Sequence, residues 1–145
     1  MIPCKLSLDF IFFSKEITSM GLAYSNLVIK NPKREDLQPI SVVPLADTGS
    51  VYLIIPEHVR GQLELEEHSK KEIELADGTK HFVPYVGPIE IAFKNRIAFV
   101  GAIVMGNEVL LGAIPMEDMD LIVIPKDRKV EVNPENPNFA AAKAK

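Results

Sequence analysis

Val42-Val43-Pro44-Leu45-Ala46-Asp47-Thr48-Gly49-Ser50 runs an apolar segment into a carboxylate, then a hydroxyl, a glycine and a second hydroxyl. A carboxylate at the end of a buried run is costly unless something hydrogen-bonds it. Gly49 offers the remedy: without a Cβ it lets the backbone turn sharply and lets N–H groups approach the acid. The order suits one acid held still, partly desolvated and supplied with donors. It equally suits a strand that ends in an Asx-type turn, because Asp, Thr, Gly and Ser are all turn formers. The three residues Asp47-Thr48-Gly49 do not choose between these readings.

Outward from that stretch, the chain reads as short strands punctuated by turns. Residues 22–30 and 38–46 form a hairpin across the polar loop 31–36, with Pro39 and Pro44 pointing to an edge or a bulge. Val51-Tyr52-Leu53-Ile54-Ile55 is strongly β-forming. Pro56 then opens a short helix to about Leu63, with Glu57 near its positive end. Residues 64–75 are charge-rich and read as a solvated face, within which Glu72-Ile73-Glu74-Leu75 alternates as a half-buried strand. Asp77-Gly78 is the strongest hairpin signal in the chain, set between Ile73-Glu74-Leu75 and His81-Phe82-Val83. Pro84, Gly87 and Pro88 are expected to break the following run. Ile89–Phe93 alternates, Lys94-Asn95-Arg96 turns, and Ile97–Val104 is apolar enough for a central strand. Gly106-Asn107 turns again. Val109–Ala113 is a second apolar run holding a glycine. A short helix is expected over 114–119, with Glu117 and Asp118 in its first turn. Strands at 121–124 and 129–132 follow, and 133–145 reads as a loose tail. Many short strands with frequent turns and one or two short helices make an all-β, barrel-like domain.

Composition narrows the function. At 145 residues the chain is one domain. The net charge of −4 and the lack of a Lys/Arg stripe argue against nucleic acid. Cys4 is the only cysteine, so an intrachain disulfide and a Cys-based zinc site are excluded, and the lone thiol fits a reducing, cytoplasmic compartment. His58, His68 and His81 lack metal-ligand spacing and read as solvated or capping residues. No run approaches the ~20 apolar residues that span a bilayer. Leu6–Phe13 has the look of a signal core, but Asp9 interrupts it and Ser14-Lys15-Glu16 is a poor cleavage site.

Taken in order, Leu45-Ala46-Asp47-Thr48-Gly49-Ser50, the Ile55-Pro56 helix opening, the Asp77-Gly78 hairpin and Leu110-Leu111-Gly112 before a short helix match a known succession. The chain resembles the retropepsin-like aspartic proteases of clan AA, in particular their small bacterial stand-alone members. The resemblance covers residues 20–132. Residues 1–19 lie outside it and read as an N-terminal extension, from a misassigned start or a removable pro-segment.

The resemblance implies an acid-protease barrel with a flap hairpin, and an endopeptidase in which two carboxylates share a proton and activate water. One Asp-Thr-Gly per chain then implies a homodimer, with Asp47 from each copy meeting on a two-fold axis. By the same analogy Thr48 bonds the partner's main chain, Gly49 donates to the carboxylate and Ser50 helps hold the pair. Asp77 and Gly78 are the flap tip, and Leu110, Leu111 and Gly112 pass behind the acid. The expected partners are a second copy and a peptide or unfolded protein, with no nucleic acid, membrane, metal or cofactor. Where many retroviral members carry an arginine after the glycine and an aspartate four residues after the catalytic one, this chain has Ala113 and Val51, so neither charge is orphaned. The acids Glu117, Asp118 and Asp120 read as helix and turn charges rather than as a second catalytic carboxylate. The alternatives are a catalytically silent binding module on the same fold and a small ligand-binding barrel in which Asp47 is structural.

Overall fold

The computed structural model describes residues 26–144, so the expectations for residues 1–25, Cys4 among them, lie outside it. The described chain is mostly strand, with two helices of six residues each, and its main sheet curls into a half-barrel.

The elements in chain order are β1 (Leu27–Lys30), β2 (Ile40–Val42), β3 (Leu45–Ala46), β4 (Leu53–Ile55), α1 (Glu57–Gln62), β5 (Glu66–Glu74), β6 (Lys80–Phe93), β7 (Arg96–Val104), β8 (Leu110–Leu111), α2 (Ala113–Asp118), β9 (Leu121–Ile124) and β10 (Lys129–Val132). The main sheet runs β2-β1-β6-β7-β4-β8-β3, with β5 added to β6, and β9 and β10 form a separate hairpin. Strand alternation supplies the core: Leu27 and Ile29 from β1, Leu53 and Ile55 from β4, and Ile89, Ile91 and Phe93 from β6 are all buried. Val59 and Leu63 close it from the α1 side. Asn31, also buried, donates through Nδ2 to Leu63 O at 2.9 Å and ties the first hairpin loop to the end of α1.

Several expectations are met: α1 behind Pro56, the turn at Lys94-Asn95, the turn at Gly106 and, over 40–42 only, the first hairpin, since the strand expected over 38–46 is split and 45–46 pairs with β8 instead. Others need correction. β5 is nine residues long rather than four, because the charged stretch from Glu66 pairs with β6 while exposing its side chains. Pro84, Gly87 and Pro88 do not break β6. Pro84 lies opposite Lys70 and before the segment that pairs with β7, so one edge of β6 is open there and the missing N–H is tolerated. Gly87 and Pro88 fall in a register shift between Val86 and Ile89. There His68, skipped in the β5 ladder between Glu67 and Ser69, donates through Nε2 to Gly87 O at 2.8 Å.

β7 is not buried throughout. Ile97 and Phe99 are 59% and 64% exposed, since they alternate with the buried Arg96 and Ala98 and lie on the outward face of the strand. The acids of α2 are not in its first turn: the helix starts at Ala113, which leaves Glu117 and Asp118 at its C-terminal end. The segment after Val132 is tied to Asp120 at points from Asn133 to Ala141 rather than loose. Asp120 accepts from Asn133 Nδ2 (3.1 Å), Asn136 Nδ2 (2.8 Å) and Ala141 N (3.0 Å). Asn95 Nδ2 donates to Pro137 O at 2.9 Å, and the buried Arg96 guanidinium donates to Asn136 O.

Candidate active site

The Asp47 turn is built by a strand crossing. β3 leads into it and β4 leads out, and β8 lies between them, parallel to β3 and antiparallel to β4. Residues 47–52 therefore arch over β8. Asp47 N donates to Leu111 O (2.9 Å), and the amides of Ala113 and Ile114 donate to Ser50 O and Val51 O, both at 2.9 Å. The approach is so close that a Cβ on Gly112 would sit 2.4 Å from Tyr52 O and 2.7 Å from Ser50 O. Leu111 is fully buried beside it. Leu110, Leu111 and Gly112 thus pass directly behind the aspartate turn, and glycine is required there by space rather than by dihedral angle.

Within the turn, Gly49 N donates to Asp47 Oδ1 at 3.1 Å and Ser50 N to Asp47 O at 3.0 Å. Ser50 Oγ points elsewhere, to Tyr52 O at 3.3 Å, so among the described residues it does not touch the carboxylate. Thr48 and Gly49 are exposed and Asp47 is half-buried. Among the described residues the Gly49 amide is the carboxylate's one hydrogen-bond donor, which leaves Oδ2 free to meet a water or a second carboxyl group. The Asx turn is real, and it also presents an acid.

Asp47 lines a cleft of about 770 Å³. Residues 72–76 of the β5–β6 hairpin, Ile103, Met105 and the 106–108 turn line the same cleft. The hairpin tip is a three-residue loop. Gly78 N donates to Leu75 O (2.9 Å), Leu75 N donates to Thr79 O (2.8 Å), and Gly78 sits at φ +87°, a region that favours glycine. Asp77 Oδ1 accepts from Thr79 Oγ1 (2.6 Å) and Thr79 N (2.9 Å), and these bonds hold its carboxyl below the ordinary carboxylate range. Asp77 and Gly78 themselves do not line the cleft; the strand that they turn does. Tyr52 also borders a second groove of about 250 Å³, with Tyr85, Phe99, Ile114 and Asp118.

Arg128 is the participant that sequence reasoning misses. Its Nε and Nη2 lie 3.4 and 3.3 Å from Ala46 O, and its own carbonyl accepts from Ala46 N at 2.9 Å. The β9–β10 turn thereby fixes the residue just before Asp47. No spacing or motif in the sequence links positions 46 and 128. The positions that lack a charge pair, Val51 and Ala113, are brought to the same place by the bonds from the 113–114 amides, and neither needs a partner. Glu117 and Asp120 lie away from the cleft, and Asp118 lines the second groove instead. No group of His, Cys, Asp and Glu suited to a metal occurs among the described residues. None of their helices is long and apolar enough to cross a membrane. Set against protein-family models and against curated proteins, the chain matches none.

Proposed function

We propose that the protein is a homodimeric aspartic endopeptidase of the retropepsin-like kind, in which Asp47 of each subunit contributes one carboxylate to a shared site. The observation that carries this reading is the Asp47 turn laid over Leu111-Gly112 and opening into a cleft walled by a hairpin. A peptide in extended form fits such a cleft and adds its main chain to strand-like walls. One carboxylate with an ordinary pKa is ionised at neutral pH and a poor acid. Two held close together share a proton, so one takes a proton from the attacking water while the other protonates the peptide carbonyl. The exposure of Thr48 and Gly49 supports the pairing, since a two-fold contact must reach the turn itself. The β5–β6 hairpin closes over the bound segment and excludes water. The Leu110-Leu111-Gly112 crossing keeps the turn rigid while this happens.

The test is cleavage of an unfolded protein at mildly acidic pH together with the oligomeric state. Wild type is expected to be dimeric and active, and Asp47→Asn to be folded and inactive. Cleavage by Asp47→Asn at the wild-type rate, or a strictly monomeric active protein, would overturn the assignment. A dimer that turns over no unfolded substrate would instead favour the silent binding module.

A further inference from the structure

The β5–β6 hairpin leaves the main sheet at one rung. β7 pairs with β6 as far as Tyr85, and β5 pairs with β6 alone. Tyr85 lies opposite Ser69 in that last supported rung. Beyond it, residues 70–84 carry only their own ladder, and residues 72–76 among them line the cleft. No hydrogen bond or ion pair among the described residues joins 70–84 to anything outside the hairpin. Lys71 reaches back by another kind of contact. It is half-buried, two residues past Ser69, and its ammonium lies 5.3 Å from the ring centroid of Tyr52 and 4.8 Å from that of Tyr85. The two rings meet edge to face, with centroids 5.7 Å apart and planes at 64°. Both are anchored away from the hairpin tip. A Cβ on Gly101 would lie 2.4 Å from the Tyr85 ring, so that ring is packed against the β7 backbone. Tyr52 ends the 47–52 arch and lines the cleft with Asp47. The Lys71 ammonium has no ion pair or hydrogen bond among the described residues, so the ring faces are what hold its charge.

We propose that Lys71 is a positioning residue of the cleft: seated on Tyr52 and Tyr85, it sets the hairpin over Asp47 and is the point about which residues 72–80 open and close. The proposal rests on the cleft being the peptide site described above. A cation suits this task. Its attraction to a ring face has no donor angle to satisfy, unlike a hydrogen bond, so the strand can pivot about the contact without first breaking it. A weaker clasp lets the hairpin open more often and releases ground state and transition state alike. That is a loss of uniform binding, which shows in KM rather than in kcat.

Hydrogen exchange in Asp47→Asn tests the clasp without relying on catalysis, because amide exchange follows the population of the opened hairpin. Adding Lys71→Met keeps the length of the side chain and removes its charge. It is expected to speed exchange of the 70–84 amides by about two- to fivefold, the range of an exposed cation–π contact, and to leave β1 and β7 unchanged. Lys71→Arg keeps a cation on the rings and is expected to restore the parent's rates. Lys70→Met, which removes the neighbouring charge paired with Glu67, is expected to change nothing in 70–84. In a Tyr52→Leu background the effect of Lys71→Met is expected to shrink, since one of its rings has gone. With Asp47 intact, Lys71→Met should raise KM for a reduced and alkylated protein by a similar factor while kcat holds. Unchanged hairpin exchange in Lys71→Met, equal acceleration by Lys71→Arg or by Lys70→Met, acceleration spread over the whole sheet, or a fall in kcat at constant KM would each overturn the proposal. The expected exchange pattern in a protein that cleaves nothing would instead overturn the catalytic reading and leave the Lys71 clasp standing.

Discussion

Two turns in this molecule share one local device. At Asp47 and at Asp77 a carboxylate Oδ1 accepts the amide of the residue two positions on, at 3.1 Å from Gly49 and 2.9 Å from Thr79. Both follow apolar residues and both include a glycine. Their surroundings differ. The Asp77 turn is satisfied within itself: Thr79 supplies two donors and the glycine faces open space. The Asp47 turn is held by distant chain: Leu111 O, the 113–114 amides and Arg128. Among the described residues its carboxylate has one oxygen without a donor, and Asp47 lines a cleft. Identical local chemistry thus gives a self-contained hairpin tip in one place and a rigidly mounted acid in the other. Long-range packing makes the difference.

The largest effect expected from breaking that contrast is at Gly112. A side chain there must displace the backbone of Tyr52 and Ser50, so Gly112→Val is expected to lose on the order of 3–4 kcal/mol or fail to fold. Chemical denaturation reads this directly, and a near-neutral result would mean that the arch over β8 is loose. Next comes Asp47→Asn, which keeps the turn's shape. It is expected to leave the denaturation midpoint nearly unchanged and to lower peptide cleavage at least about a hundredfold. In the other turn, Gly78→Ala meets no steric wall. It pays only for the left-handed backbone, about 1–2 kcal/mol, with the cleft intact by peptide binding.

The smallest effect concerns pH. Because the Asp77 carboxyl is held below its unfolded value of 3.8, its contribution to the hairpin is fully present above that value. It is lost as pH falls through the lowered folded value. Thr79→Val removes the strongest of the bonds, so the Asp77 titration followed by NMR should move up toward the ordinary range. An unchanged titration would remove the Thr79 hydroxyl as the cause. Asp120, lowered mainly by Asn133 and then by the Ala141 amide and Asn136, follows the same sign. The segment 133–141 should therefore become accessible to protease below the ordinary carboxylate range, and already at neutral pH in Asp120→Ala.

Much of this was legible in the residues. The Asx turn at Asp47, the Asp77-Gly78 hairpin, α1 behind Pro56 and the alternation of Ile89–Phe93 are all local patterns, and local patterns are what a sequence carries. Misreadings arose where pairing or coverage mattered. Pro84 reads as a breaker until the β6–β7 pairing is seen to begin only at Tyr85. Ile97 and Phe99 read as buried until the sheet is seen to face only Arg96 and Ala98 inward at that end of β7. The acids after Ile114 read as first-turn charges because Pro115 suggests a later helix start than the one set by Met116 N donating to Gly112 O. Asn133 onward reads as a tail because nothing local says that Asp120 will bind it.

By itself, then, the sequence determined an all-β chain of short strands and placed a single Asp-Thr-Gly turn and a hairpin tip at their positions. Tertiary structure decided which turn carries an available acid, through the passage of β8 beneath 47–52 and the reach of Arg128 to Ala46. It also decided that the acid and the hairpin strand face one cleft. The physical reason is that turn chemistry acts over two or three residues, whereas strand crossings and charge exposure depend on segments more than sixty positions apart, such as Asp47 and Leu111.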